Sequence, residues 1–162
     1  MKKINSIILT LIIIISLNSC SNSEDHTDST EIIEGLRVTI NGNTRIFNNV
    51  WVDKFVYESG TPNEYTSLIV RAEIEPNSTE RIAFSLLKGA TGLEAVYNFS
   101  YIDSNDRAFY YFSYSNGGNF SINVTSNDIS NNLLKGKFNG TLYENGGGNI
   151  LNFQNGGFNI NY

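Results

Sequence analysis

The sequence predicts an all-β protein: a single antiparallel β-sandwich or β-barrel of about eight to ten strands, placed after an N-terminal signal segment and a flexible tether. Two observations carry this. From Leu36 onward the apolar residues alternate with polar ones, the period of a strand with one buried face. Between the alternating runs lie Asn- and Gly-rich turn sequences, while only two prolines occur in the whole chain.

The chain opens with Lys2 and Lys3, and Ile7 to Leu17 reads IILTLIIIISL. A helix rises ~1.5 Å per residue and a bilayer core is ~30 Å thick, so a span needs about 20 apolar residues. This run is too short and has the charged and apolar regions of an export signal, so residues 1–19 are set apart from the fold. At its end stands Cys20, the single cysteine, preceded by Leu17 at −3 and the small Ser19 at −1. In "LNSC" the chain resembles a bacterial lipoprotein precursor. The resemblance implies that Cys20 receives a thioether-linked diacylglycerol, becomes the mature N-terminus and is N-acylated. The other roles of a cysteine lack support: there is no second cysteine for a disulfide and no neighbouring ligand set for a metal. Each buried CH₂ contributes ~0.8 kcal/mol, so two or three acyl chains anchor a protein stably.

Residues 20–35 form the tether. "SNSEDHTDSTEIIE" is polar, acidic and free of aromatics, and buries too little apolar surface to fold. Its Glu24-Asp25 pair resembles the acidic cluster that follows the cysteine in surface-exported lipoproteins of Bacteroidota. The same residues also suit an ordinary solvated linker, so both faces of the outer membrane stay open. Asp28-Ser29-Thr30 resembles the O-glycosylation acceptor of that phylum, which would place a sugar on Ser29.

After the signal segment the chain carries sixteen acidic residues against nine basic ones, a formal balance of −7. That balance repels nucleic acid phosphates and anionic headgroups, and no basic stripe opposes it. The expected partners are the membrane, through the anchor, and a glycan or envelope protein; nucleic acid and cofactors are not expected.

The all-β domain spans residues 36–162. "LRVTINGNTRIF" is a hairpin turned at Asn41-Gly42, with Val38 and Ile40 on one face. "VWVDKFVYE" is a strand carrying the only tryptophan, closed by "SGTPNE". In "SLIVRAEIE" Leu68, Val70, Ala72 and Ile74 share one face, and a slip of one residue would expose all of them. Pro76-Asn77 turns the chain into "RIAFSLLK", with Ile82, Phe84 and Leu86 inward. "KGATGLE" is a short helical turn or a loop. "AVYNFSYID" and "RAFYYFSY" pair around "DSNDR", and "NFSINVTS" turns Phe120, Ile122 and Val124 inward. "LLKGKFNGTLYE" places Leu134, Gly136, Phe138, Gly140 and Leu142 on one face, and "GGGNILNFQNGGFNINY" gives two closing strands. Glycines at core-facing positions mark a bulge, a sharp coil or the close approach of another strand. This glycine-phenylalanine pattern, over residues 95–162, resembles the ending of small uncharacterised lipoproteins of Bacteroidota. The resemblance implies a β-sandwich or lipocalin-like barrel and imports no catalytic residue.

Chemistry is sparse. The single histidine, His26, lies in the tether, which excludes Ser-His-Asp, Cys-His and multi-histidine zinc arrangements within the domain. Glu73 and Glu75, about 7 Å apart on one strand face, fall within the range of paired carboxylates in glycoside hydrolysis. They also fit a solvated sheet face beside Arg71. "DSND" at Asp103–Asp106 supplies too few oxygens for calcium, which wants six to eight, and suits an Asx-rich turn. Aromatic side chains are the remaining clue: eight of twenty fall between Tyr97 and Tyr114. Trp51, Tyr110, Tyr111 and Tyr114 are the expected binding residues, because tyrosines on an open sheet face make stacking platforms for sugars and proteins. No catalytic or metal-ligating residue is expected. The reading is a membrane-anchored, non-enzymatic binding protein; the alternatives are a lipocalin-like carrier of a small apolar ligand and, least favoured, a glycosidase using Glu73 and Glu75.

Labelling producing cells with palmitate tests the anchor. The wild-type chain is expected to incorporate the label and a Cys20→Ser variant to lose it; label retained by the variant would contradict lipidation at Cys20.

Overall fold

The computed structural model describes residues 34–112, 119–146 and 148–162. The signal segment, Cys20, His26, Ser29, the tether up to residue 33 and Tyr114 lie outside the described residues. Ten strands follow in chain order: β1 Gly35–Ile40, β2 Asn43–Phe47, β3 Asn49–Tyr57, β4 Tyr65–Glu73, β5 Arg81–Leu87, β6 Val96–Ile102, β7 Ala108–Phe112, β8 Ser121–Asp128, β9 Leu133–Glu144 and β10 Ile150–Asn161. They form one antiparallel sheet in the order β2-β1-β10-β9-β7-β6-β5-β4-β3, with β8 paired to β9 beside this path. The sheet is nearly closed and barrel-like.

Closure follows from the first hairpin. Asn41 and Gly42 both have positive φ, 47° and 82°, which fits a tight turn whose twist matches its strands. One residue, Asn48, then separates β2 from β3. β2 pairs with β1 and β3 pairs with β4, so a single run of chain supplies both ends of the strand order and curls the sheet back on itself. Two side-chain contacts tie this run down. Arg45 on β2 donates to Glu80, just before β5, at 2.9 Å. Lys54 on β3 donates to Asn132 at 3.5 Å and stands 4.7 Å above the Tyr162 ring.

The core is a cluster of phenylalanines. Phe99 on β6 lies 4.8 Å from Phe120, 5.3 Å from Phe138, 6.2 Å from Phe84 and 6.3 Å from Phe153, ring centre to ring centre. Phe84 in turn meets Phe158 at 5.0 Å. These separations are those at which aromatic pairs attract. Aliphatic residues of the alternating strands, among them Val38, Leu68, Val70, Ile82, Leu86 and Leu134, complete the buried set.

Glycine makes room for these rings. Across the β9–β10 ladder Gly136 faces Phe158, and Gly156 faces Phe138. A Cβ on Gly136 would overlap the Phe158 ring, and one on Gly156 would come within 2.6 Å of the Phe138 ring. Each strand thus gives up a side chain where the other inserts a phenyl group. At Gly140 the constraint is backbone: φ is +124°, and a Cβ would strike the carbonyl of Asn119, which accepts from Thr141 N at 3.2 Å. There β9 changes partner. Leu133 to Asn139 pair with β8, whereas Tyr143 and Glu144 pair with β7.

The C-terminal segment differs from the expectation of two closing strands. β10 is one strand of twelve residues, and the "NGG" at Asn155–Gly157 is a bulge rather than a turn, with the register shifting between Phe153 and Gly156. The chain bends over Phe138 without reversing. "KGATGLE" is a loop held by backbone bonds between Gly92 and Val124 at 2.9 and 3.1 Å. Buried Asn127 fixes the same loop, donating to Leu87 O and Ala90 O and accepting from the Tyr162 hydroxyl.

Gly136→Ala and Gly156→Ala are each expected to lower unfolding stability by about 1–3 kcal/mol or more, as overpacking does. Gly148→Ala, where an added Cβ meets nothing within 4 Å, is expected to change it by less than about 0.5 kcal/mol. Urea unfolding of the three variants checks this; equal stabilities would contradict the packing described.

Candidate binding face

On the outer surface of β3 to β6 the pairing gathers six side chains. Phe55 and Tyr57 alternate outward on β3. Across the ladder Phe55 faces Ser67 and Tyr57 faces Tyr65 on β4. Ser67 faces Leu87 on β5. Tyr97 comes from β6 by a different route. Ser85 pairs with Asn98 and Leu86 with Val96, so Tyr97 is the extra residue of a bulge. A bulge re-aims a side chain. Val96 and Phe99 are both buried, and Tyr97 is turned out between them.

The result is a ring of apolar groups around a hydroxyl pair. Phe55, Tyr57, Tyr65, Leu87 and Tyr97 are 37–45% exposed, while Ser67 at their centre is 2% exposed although it points outward. Ser67 Oγ and the Tyr97 hydroxyl are 2.7 Å apart. Tyr57 and Tyr65 stack, with centroids 4.9 Å apart and planes 14° from parallel. That spacing leaves no slot between them, so each offers only its outer face. The loop beyond is itself ordered: Glu64 accepts from Gly60 N at 2.8 Å, and Thr61 Oγ1 donates to Glu58 O at 2.7 Å.

The residues expected from the sequence are placed apart. Trp51 is on the outer face of β3 opposite Arg71, whose guanidinium is paired with Asp53. Tyr110 lies in the same cross-strand row, reached through Arg71, Ala83 and Ser100, four strands away. It belongs to a second exposed group with Tyr143 and Ile150, its neighbours on β9 and β10. Tyr111 turns the other way and packs on Phe120 at 5.4 Å against the core. Tyr110 and Tyr111 therefore occupy opposite faces of β7. Phe55, Tyr57, Tyr65, Leu87 and Tyr97 escaped sequence reasoning; the alternation in "FVY" and "YTS" was the available signal for the β3–β4 pairs, and nothing local marked the Tyr97 bulge.

The carboxylates have structural work. β4 ends at Glu73, so Glu73 and Glu75 do not sit on one strand face as expected. Glu73 caps the following turn by accepting from Asn77 N at 3.0 Å. Buried Glu80 accepts from Arg45 and from the Tyr101 hydroxyl at 2.8 Å. Burial, reinforced by the Glu80 carboxylate, pushes the Tyr101 phenol well up, so it stays a neutral donor. In "DSND", Asp103 Oδ1 accepts from the backbone of Asn105 and Arg107, and Oδ2 from the Arg107 guanidinium. Both oxygens are committed to the hairpin turn. Among the described residues no three His, Cys, Asp or Glu side chains gather as a metal site.

Burial raises the Asp103 carboxyl, but the hydrogen bonds from Arg107 and Asn105 outweigh it and hold the group below the usual carboxylate range. A folded-state pKa below the unfolded one stabilises the fold above the unfolded value, and this contribution fades as pH falls through the ordinary carboxylate range. Unfolding stability measured from pH 6 to pH 2 is therefore expected to drop less steeply in Asp103→Asn than in the wild type. Identical slopes would show that Asp103 is not so held.

Comparison with protein-family models, curated proteins and solved structures finds no match to this chain, so its function is argued from the geometry of its own surface.

Proposed function

We propose that this chain is a lipid-anchored protein of the outer membrane whose barrel binds glycans without catalysis, through the outer face of β3 to β6. One observation carries the reading: four aromatic rings and Leu87 surround a hydroxyl pair on an exposed sheet face. A sugar has apolar C–H faces and a rim of hydroxyls, and tyrosine offers the matching combination of a flat apolar body and a polar tip. A protein partner driven by apolar burial would gain less from the Ser67–Tyr97 centre, which would lose water on contact. Acylated Cys20 would tether the domain to the membrane. The barrel fold is compatible with a lipocalin-like carrier as well. That reading needs room along the barrel axis, and the rings of Phe84, Phe99, Phe120, Phe138 and Phe153 converge there, which favours the outer face.

Affinity electrophoresis through gels containing a panel of soluble polysaccharides tests the proposal. At least one polymer is expected to retard the wild type. Phe55→Ser and Tyr65→Ala are expected to weaken retardation roughly tenfold each, as loss of an aromatic contact worth about 1.4 kcal/mol would, with unchanged circular dichroism. Trp51→Ala and Tyr110→Ala are expected to behave as wild type. Retardation that survives both patch variants, or that depends on Trp51 or Tyr110 alone, would place the site elsewhere.

A further inference from the structure

The hydroxyl pair at the centre of the patch has an uneven hydrogen balance. Two hydroxyls 2.7 Å apart share one hydrogen bond, so one O–H is used and the other remains available. Ser67 is 2% exposed, whereas Tyr97 is 37% exposed. An unused donor is expensive in a buried position and harmless in a solvated one. On that balance the Ser67 O–H serves as the internal donor, which frees the Tyr97 O–H for another acceptor. Ser67 holds the phenol by its oxygen, and the β6 bulge holds its ring.

Charge around the patch is one-sided. The patch side chains are neutral, and the chain on either side of the stacked pair supplies Glu58 after Tyr57 and Glu64 before Tyr65. The basic residues of these strands are committed elsewhere. Lys54 turns to Asn132 and Tyr162 on the opposite face, Arg71 is paired with Asp53, and Arg81 donates to Thr79 O at the far end of β5. Lys88, next to Leu87, is half-buried. An anionic sugar would meet two carboxylates against the single ammonium of Lys88, in a protein already acidic overall.

We propose that this face selects neutral pyranosides over uronic or sulfated ones, with the free O–H of Tyr97 as the donor that orients the sugar on the rings. The inference rests on the glycan reading above and adds its specificity. A sugar ring would lie on the outer face of Phe55 or Tyr65, with a ring or hydroxyl oxygen accepting from Tyr97.

The test uses the full-length acylated protein in detergent, run through gels of hydroxyethyl cellulose, xyloglucan, galactomannan or dextran, and through carboxymethyl cellulose and polygalacturonate. Retardation is expected with one or more of the neutral polymers and with neither acidic one. Tyr97→Phe, which keeps the ring, is expected to bind the neutral polymer roughly five- to tenfold more weakly at an unchanged melting temperature. Ser67→Ala, which loosens the phenol but leaves its O–H in place, is expected to weaken binding clearly less than Tyr97→Phe does. If the pair were merely structural, the two variants would weaken binding alike. Equal or stronger retardation by the acidic polymers, or a Tyr97→Phe variant that binds as wild type, would overturn the specificity while leaving glycan binding intact. Absence of retardation by every polymer would overturn both.

Discussion

The reciprocal insertion of Phe158 over Gly136 and Phe138 over Gly156 is the constraint on which the rest of the barrel depends. Two long strands lie side by side, and at each of these positions one omits its side chain so that the other can fill the space. A ring laid across a neighbouring glycine covers the exposed backbone and restores apolar contact that glycine alone would lose. The rings so placed reach Phe84 and Phe99 on the far wall. Interior packing, strand curvature and the β10 bulge are thus one arrangement, and a methyl group at either glycine disturbs all of them together.

With the centre of the barrel occupied by its own phenyl rings, the proposed recognition surface is the outer wall. Three devices shape that wall. The one-residue link at Asn48 lets one run of chain end both sides of the strand order, so that β3 lies at one end with the β3–β4 hairpin carrying Tyr57 and Tyr65 near its tip. The direct opposition of those tyrosines stacks them. The bulge on β6 reverses Tyr97, which strict alternation with Phe99 and Tyr101 would have buried. Elsewhere polar groups serve the fold: Asn127 ties β8 to the loop after β5, and Asp103 and Glu80 gather donors around the ends of β5, β6 and β7.

Much of this was legible in the amino-acid order, for a reason that also marks where legibility stops. Period-two alternation is a local signal, and in β4 and β5 it identified Leu68, Val70, Ala72, Ile82, Phe84 and Leu86 as buried. Asn41-Gly42 announced its own turn by needing two positive φ angles. The glycines of β9 were recognisable as sites of close approach, although not which ring approaches them, because Phe158 is distant in sequence. Asn155-Gly156-Gly157 carries the same residue types as a turn, and only the partner strand reveals that the chain continues. The candidate binding face was the least legible part. Tyr57 meets Tyr65 through hairpin register, Leu87 joins through a second strand, and Tyr97 joins through a bulge that breaks the very alternation used to find the strands. The aromatic-rich stretch from Tyr97 to Tyr114 drew attention by density, yet Phe99, Tyr101, Phe109 and Tyr111 serve the interior.

Chemical-shift mapping of the isotopically labelled protein, titrated with short fragments of whichever polysaccharide it binds, addresses the central claim most directly. The account predicts that backbone and aromatic shifts move at Phe55, Tyr57, Tyr65, Ser67, Leu87 and Tyr97, while the ring signals of Phe99, Phe138, Phe153 and Phe158 stay in place. Movement concentrated in those interior rings, with the outer face silent, would contradict it.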